Sequence, residues 1–478
     1  MSEIKETIAS IKRINNKYLI AILLFSILSE IFLIRKIGIK DSTTFALALA
    51  LVLFEIVLSK EDINRSILLF ILSLPVLVTA RKVFYLDVKL IILNFESIYI
   101  IGVFALNFTR IKNMLGEYNK SKNLTRNLFT YIIFFVICSY ISAIFSPDIM
   151  KSFALTTTSV LIPIMFMFVL AAVISKDEMH RVIFMLILAV NLSCLYGFVQ
   201  IIKNHAFSFA ALKASRDIIT FGFHNSNNFV FVILIVYPLL VDTLLYKKYS
   251  ETNKIFYIVS FLLQSLSIFV TFSRGAWLAV IIIFILLLLN KRYIKIFYAF
   301  IGIVLATAKW TIPYIMHRGI QGVSLLQNES TMARVQAIIT SIYVSIKYPF
   351  GIGMGFFNEF YRKYVLDGYM MLPEDLRNNS AVPDYTMELA HNVLMQISVE
   401  LGIFALIVFI MIYANRIKAC VLSYTESKAI NASLVMYMFL GITTGIEFNH
   451  KGVVTPTIML WIVIALSVIN TRPKKIEN

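Results

Sequence analysis

The chain has 478 residues, 59% of them hydrophobic and 15% charged. With a mean hydropathy of +0.82, this composition excludes a soluble globular protein. The formal net charge of +17 does not point to nucleic acid, because the lysines and arginines sit mostly in short loops between apolar runs, where they set membrane topology.

Apolar runs recur along nearly the whole chain at ~17–25 residues, the length a helix needs to cross the hydrocarbon core. They are continuous rather than alternating in blocks of about ten, which argues against a β-barrel. About fourteen candidate spans follow in order: 18–34, 43–59, 66–84, 88–107, 127–145, 153–175, 182–202, 226–245, 255–273, 275–289, 296–312, 392–413, 428–446 and 453–470. The sequence predicts an all-α polytopic membrane protein with about 12–14 transmembrane helices, folded as a single integral membrane domain over residues 1–478. The first run, Tyr18 to Ile34, lacks a small-residue cleavage site and reads as the first span. The stretch 255–289 is too long for one helix and carries Ser273-Arg274-Gly275 in its middle, which predicts a tight helical hairpin with that tripeptide at its tip. Cys138, Cys194 and Cys420 are far apart and show neither metal spacing nor a disulfide framework. No internal repeat is visible.

Basic loops set the orientation. Lys12, Arg13 and Lys17, the loop from Arg110 to Arg126, Lys247-Lys248, Lys291-Arg292, Arg416 with Lys418, and Lys474-Lys475 all fall on one side if the N-terminus is cytoplasmic. Arg35-Lys36 and Arg81-Lys82 run against this count and read as snorkelling residues or a miscounted early span. The outside then carries three features: the loop from Lys203 to about Asn225, the hairpin tip at Arg274, and a polar segment of roughly 75 residues from about Pro313 to Ala390. That segment contains helical patterns at Thr331 to Lys347 and Phe356 to Val365, broken by Pro349-Phe350-Gly351-Ile352-Gly353. It is rich in Tyr, Phe, Met and Leu, which predicts amphipathic helices lying on the membrane and roofing a cavity.

Candidate chemistry gathers in these features. Arg274, between two apolar runs, is either an anion clamp, its planar fork matched to phosphate oxygens, or a structural arginine paired or capping a helix. Arg334 is either a second such clamp or part of a solvated helix face, and Arg216 carries the same two readings, with Asp217 beside it to neutralise it. His391 enters an apolar helix with Asn392 behind it and Glu400-Leu401-Gly402 further on. A neutral imidazole there accepts a proton from a hydroxyl near neutral pH, with Asp384 and Glu388 upstream as orienting groups or substitutes; otherwise His391 only caps the helix. The turn Phe221-Gly222-Phe223-His224-Asn225-Ser226-Asn227-Asn228 offers hydrogen bonds to a sugar, or an N-cap. Glu30, Glu55 and Glu96 are intramembrane acids suited to a proton relay.

Three of these pieces occur together and in order: Thr271-Phe272-Ser273-Arg274-Gly275-Ala276-Trp277-Leu278-Ala279, then Arg334 followed by Pro349-Phe350-Gly351-Ile352-Gly353-Met354-Gly355, then His391-Asn392 running to Leu401-Gly402. This resembles the O-antigen ligase and O-antigen polymerase superfamily of bacterial membrane glycosyltransferases, over a motif-bearing core at about 215–415 that includes the loop 313–390. The resemblance implies a multi-pass protein of the bacterial cytoplasmic membrane with its active site on the extracytoplasmic face. It implies transfer of a glycan from undecaprenyl diphosphate to a hydroxyl on a glycan, lipid A–core or protein acceptor, with inversion and without metal, nucleotide sugar or other cofactor. By motif, Arg274 and Arg334 match diphosphate-gripping arginines and His391 the acceptor-activating histidine, while Arg216 and Asn392 match substrate-binding positions. Beyond the donor and acceptor, the expected partner is the lipid bilayer, with no nucleic acid. A polysaccharide or lipid flippase and a non-catalytic envelope assembly partner are the competing classes. The first should show a repeat between halves, and the second would leave Arg274, Arg334 and His391 replaceable.

Overall fold

The computed structural model describes residues 39–80, 86–88, 91–120, 124–223, 225–246, 251–288, 294–299, 329–378, 387–443 and 455–471, with isolated positions near 22–25 and 301–306. The expected first span at 18–34, most of 296–312, the stretch 313–328, the basic pairs at 35–36, 81–82, 247–248, 291–292 and 474–475, and Glu30 and Asp384 lie outside the described residues.

Helices α1 (Ile39–Glu61) and α2 (Ile63–Ala80) are followed by a hairpin of β1 (Leu86–Val88) and β2 (Ile91–Leu93). Next come α3 (Phe95–Leu106), α4 (Phe108–Lys120) and α5 (Leu124–Ile144). Helix α6 runs Ile149–Val173 with a π turn at Thr157–Leu161. Then follow α7 (Met179–Lys203), α8 (Phe209–Ala214), α9 (Ser226–Tyr246), α10 (Glu251–Val270) and α11 (Arg274–Leu288). The polar segment supplies α12 (Glu329–Lys347), α13 (Phe357–Met370) and α14 (Glu374–Asn378). The chain closes with α15 (Val393–Glu400), α16 (Ile403–Leu422), α17 (Tyr424–Thr443) and α18 (Thr455–Asn470).

Among the described residues six helices are long and apolar enough to cross a membrane: Thr43–Glu61, Leu124–Ile144, Ile149–Val173, Met179–Lys203, Ser226–Leu245 and Ile403–Leu422. Shorter apolar helices, Ile63–Val78, Phe95–Leu106, Lys254–Val270, Arg274–Leu288 and Thr455–Asn470, pack among them. The protein is therefore a predominantly helical, multi-pass membrane protein.

Three local expectations change. The run 88–107 is not one span: its first part pairs as the hairpin, and helix α3 has only 12 residues. The π turn explains the hairpin's seat, since it turns Thr158 out of register so that its hydroxyl accepts the Ile92 amide at 2.9 Å. The basic loop at 110–126 is helical through Lys120. The run 392–413 is broken at Leu401-Gly402, where Gly402 takes φ +93° and a new helix starts.

Helix α17 is the axis on which the later spans are arranged. Its Ser433 donates to the Ile235 carbonyl at 2.8 Å and Tyr437 meets Phe231 edge-on at 4.8 Å, so α9 runs antiparallel to it. Lys428 donates to the Leu287 carbonyl, which places the C-terminal end of α11 beside the start of α17. The starts of α9 and α11 therefore lie together at the C-terminal end of α17.

Candidate functional site

The sequence-predicted residues lie toward that end of α17. Arg334, on α12, is half-buried and donates from Nη1 to the Thr443 carbonyl at 3.2 Å. The last carbonyls of a helix carry its negative dipole end, so a guanidinium there is favoured. Two residues earlier, Gly441 lies so close to Val393 that a Cβ on it would come within 2.7 Å of that side chain. Val393 opens α15, and His391 precedes it by two residues. Arg334 and His391 are thus brought to one helix end from two separate segments.

Arg216 and Arg274 approach the same end from the other side. Arg216 donates from Nη2 to Asn227 Oδ1 at 3.3 Å, and Asn227 sits in the first turn of α9. The turn before it is held by Gln200, whose Oε1 accepts the amides of Thr220 at 3.1 Å and Phe221 at 2.9 Å. Phe221 adopts φ +56° and stacks on Phe229 at 4.0 Å. Gly197 leaves the room for that ring, since any Cβ there would overlap it. Asn225 Oδ1 accepts the Asn228 amide at 2.8 Å, so the asparagine-rich turn caps α9. Arg274, half-buried, is the first residue of α11, so the tight hairpin expected from Ser273-Arg274-Gly275 is present. Its turn is braced by Trp277 stacked on Phe269 at 5.8 Å and joined to the Arg216 loop by Phe272 meeting Phe209 at 5.1 Å.

His391 has φ +50°, a conformation that costs about 1–3 kcal/mol unless its surroundings fix it. Both flanks are fixed. Asn392 is the N-cap of α15, its Oδ1 accepting the amides of Leu394 at 2.9 Å and Met395 at 3.2 Å. On the other side Gln396 Oε1 accepts the Ala390 amide at 2.9 Å. The capping role that stood as the alternative reading of His391 therefore belongs to Asn392. The imidazole is half-buried, with Nδ1 turned inward.

The glycine-rich loop 349–355 forms the wall behind this turn. The amides of Ile352 and Gly353 donate to the carbonyls of Val399 and Glu400, both at 3.0 Å, and Ile403 donates to the Pro349 carbonyl at 2.9 Å. Gly351 and Gly402 face each other, and a Cβ on either would lie within 2.6 Å of the opposing backbone. Glu400, ahead of the span Ile403–Leu422, is 2% exposed and its Oε1 accepts the amides of Gly355 at 2.9 Å and Phe357 at 3.3 Å. Burial pushes its carboxyl up to about 7, against the lowering effect of Gln396 and those amides.

Sequence reasoning missed Gln396, Thr443, Gly441 and Gln200. Only the Gln396/Glu400 pair carried a signal, the one-turn spacing of two polar residues on an otherwise apolar helix. Among the described residues no group of three or more His, Cys, Asp or Glu side chains is placed to hold a metal ion. Glu55 and Glu96 are fully buried in the N-terminal half.

No curated protein matches the chain. Residues 259–410 match the family model described as O-antigen ligase, a region that contains Arg274, Arg334, the glycine loop and His391, and over that part of its length the chain is similar to that family.

Proposed function

We propose that the C-terminal end of α17 is the active site of a membrane glycosyltransferase of the O-antigen ligase or polysaccharide polymerase type. The donor is a glycan on undecaprenyl diphosphate and the acceptor a sugar, lipid A–core or protein hydroxyl, met at the outer face of the bacterial cytoplasmic membrane. What supports this reading is that Arg334 and the turn of His391 reach the C-terminal end of α17, the end at which α9, with the Arg216–Asn227 pair, and α11, with Arg274, begin. The similarity of residues 259–410 to O-antigen ligase supports it.

The chemistry follows from these groups. The acceptor oxygen attacks the anomeric carbon as its proton passes to His391, whose Nε2 faces the acceptor because Nδ1 is turned inward. The bond from that carbon to the diphosphate oxygen breaks on the opposite face, and the configuration inverts. The diphosphate leaves with the electron pair, and the guanidinium groups of Arg274 and Arg334 stabilise its growing charge. Arg216 binds the donor further out. Asn392 spends its Oδ1 on the helix cap, so its substrate contact falls to the side-chain nitrogen. The segment 313–390 is the extracytoplasmic roof, and 215–415 is the working core of one integral membrane domain.

The test is transfer itself. Purified protein in nanodiscs, given an undecaprenyl-diphosphate glycan and a glycan acceptor, should lengthen or move the glycan and release undecaprenyl diphosphate. Flipping of the labelled donor across the bilayer without any transfer would instead favour a transporter, the reading to which fully buried Glu55 and Glu96 lend support.

A further inference from the structure

We propose that Glu400 is a positioning residue of this site: its buried carboxyl fixes the glycine loop through the amides of Gly355 and Phe357, and the helix face it shares with Gln396 fixes the turn that carries His391. The inference rests on the transfer reading above.

The two anchors sit one turn apart on α15 and hold two different segments. Gln396 takes the Ala390 amide at 2.9 Å, directly before His391. Glu400 takes Gly355 and Phe357 with one oxygen, while its backbone carbonyl takes Gly353 at 3.0 Å. The other oxygen, Oε2, is buried and has no hydrogen bond among the described residues. Gln396 and Glu400 belong to the same short helix, so a shift of that helix at Glu400 reaches the Ala390 amide that Gln396 holds. The left-handed backbone of His391 makes the site sensitive to such a shift, because it persists only while both flanks are held. A misplacement of about 1 Å at the reacting groups costs up to about a hundredfold in rate.

Hydrogen exchange of peptides covering 349–360 and 387–395 is measured together with steady-state transfer, for the wild type, Glu400→Gln, Glu400→Ala and Gln396→Met. Glu400→Gln keeps an oxygen acceptor, so it should hold wild-type exchange protection and a kcat within about threefold of wild type. Glu400→Ala should expose 349–360 to exchange and lower kcat at least about tenfold, with KM for the lipid-linked donor within about twofold, since the arginines hold the donor. Gln396→Met should lower kcat alike, loosening 387–395 but not 349–360.

Wild-type kcat in Glu400→Ala, equal losses in its Gln and Ala variants, or a loss confined to KM each overturns the proposal. If Glu400→Ala fails to fold, Glu400→Gln and Gln396→Met decide: a large loss in the first or none in the second overturns it. A wild-type protein that transfers no glycan overturns the transfer reading and this role with it. An active wild type with an equally active Glu400→Ala removes only Glu400.

Discussion

The carboxyl of Glu400 accepts the Gly355 amide at 2.9 Å from the last residue of α15, so one side chain joins the end of that helix to a loop more than forty residues earlier. A buried acid that serves as an acceptor there gives the fold a pH dependence. Burial raises its pKa to about 7 from an ordinary value near 4.5. The folded protein therefore holds this proton between those values while the unfolded chain has lost it, and stability falls as pH rises through that window. Thermal unfolding in nanodiscs should show a higher midpoint at pH 5 than at pH 8 from this group, and Glu400→Gln should flatten the difference. A pH difference unchanged in Glu400→Gln would show that other groups cause it.

Arg334→Ala and Arg274→Ala should each lower kcat by about a hundredfold to a thousandfold, the loss seen when one donor to a developing negative charge is removed. Lysine at either position should recover little, since it keeps the charge and loses the fork. The measurement is release of undecaprenyl diphosphate by folded protein. Near-normal turnover in either alanine variant would remove that arginine from the site.

His391→Asn separates catalysis from local structure. Asn392 already caps α15, and asparagine tolerates the left-handed conformation that His391 adopts at φ +50°. The variant should fold and bind the lipid-linked donor, yet lose turnover by about a hundredfold to ten-thousandfold, like His391→Ala. Turnover near wild type in His391→Asn would move the search for a base to Glu388 or Asp384.

Gly351→Ala and Gly402→Ala should each destabilise the protein by about 1–3 kcal/mol, because both positions hold positive φ and face backbone at contact distance. The double variant should cost less than the sum, since either methyl group already pushes the same two segments apart. Unfolding midpoints in detergent for the two single variants and the double variant check this.

Sidedness is tested on α14. Glu374 is exposed, and Glu374→Cys in a Cys138→Ala background should react with an impermeant thiol reagent in intact spheroplasts. Labelling only after lysis would reverse the orientation drawn from the basic loops.

The hairpin at 251–288 was legible because a charged tripeptide interrupts two apolar runs, and a bilayer does not tolerate that in mid-span. Helices α12 and α13 were legible from their amphipathic periodicity. The break at Gly402 was not, since a lone glycine in an apolar run is tolerated inside helices, and its reason is Gly351 pressing from a distant segment. Nor was the β hairpin, whose apolar residues read equally well as the start of a span. Individual arginines and His391 stood out by chemistry, but their meeting depends on how α9, α11 and α15 pack on α17. No local pattern encodes that packing.

The seat of the glycine loop bears on what can be cut from this protein. Met354 donates to Ser152 Oγ at 2.8 Å. Gly353 faces Ser146 and Ser152 so closely that a Cβ would come within 2.2 Å of the first, and Gly355 abuts Leu155 at 2.3 Å by the same measure. These partners belong to the α5–α6 corner, over a hundred residues before the region 259–410 that resembles O-antigen ligase. An excised 259–410 fragment would carry Arg274, Arg334 and His391 and still lack the surface against which their loop is moulded. Chimeras that exchange acceptor preference between relatives should therefore transplant the 146–155 corner together with the loop, as one inheritable piece.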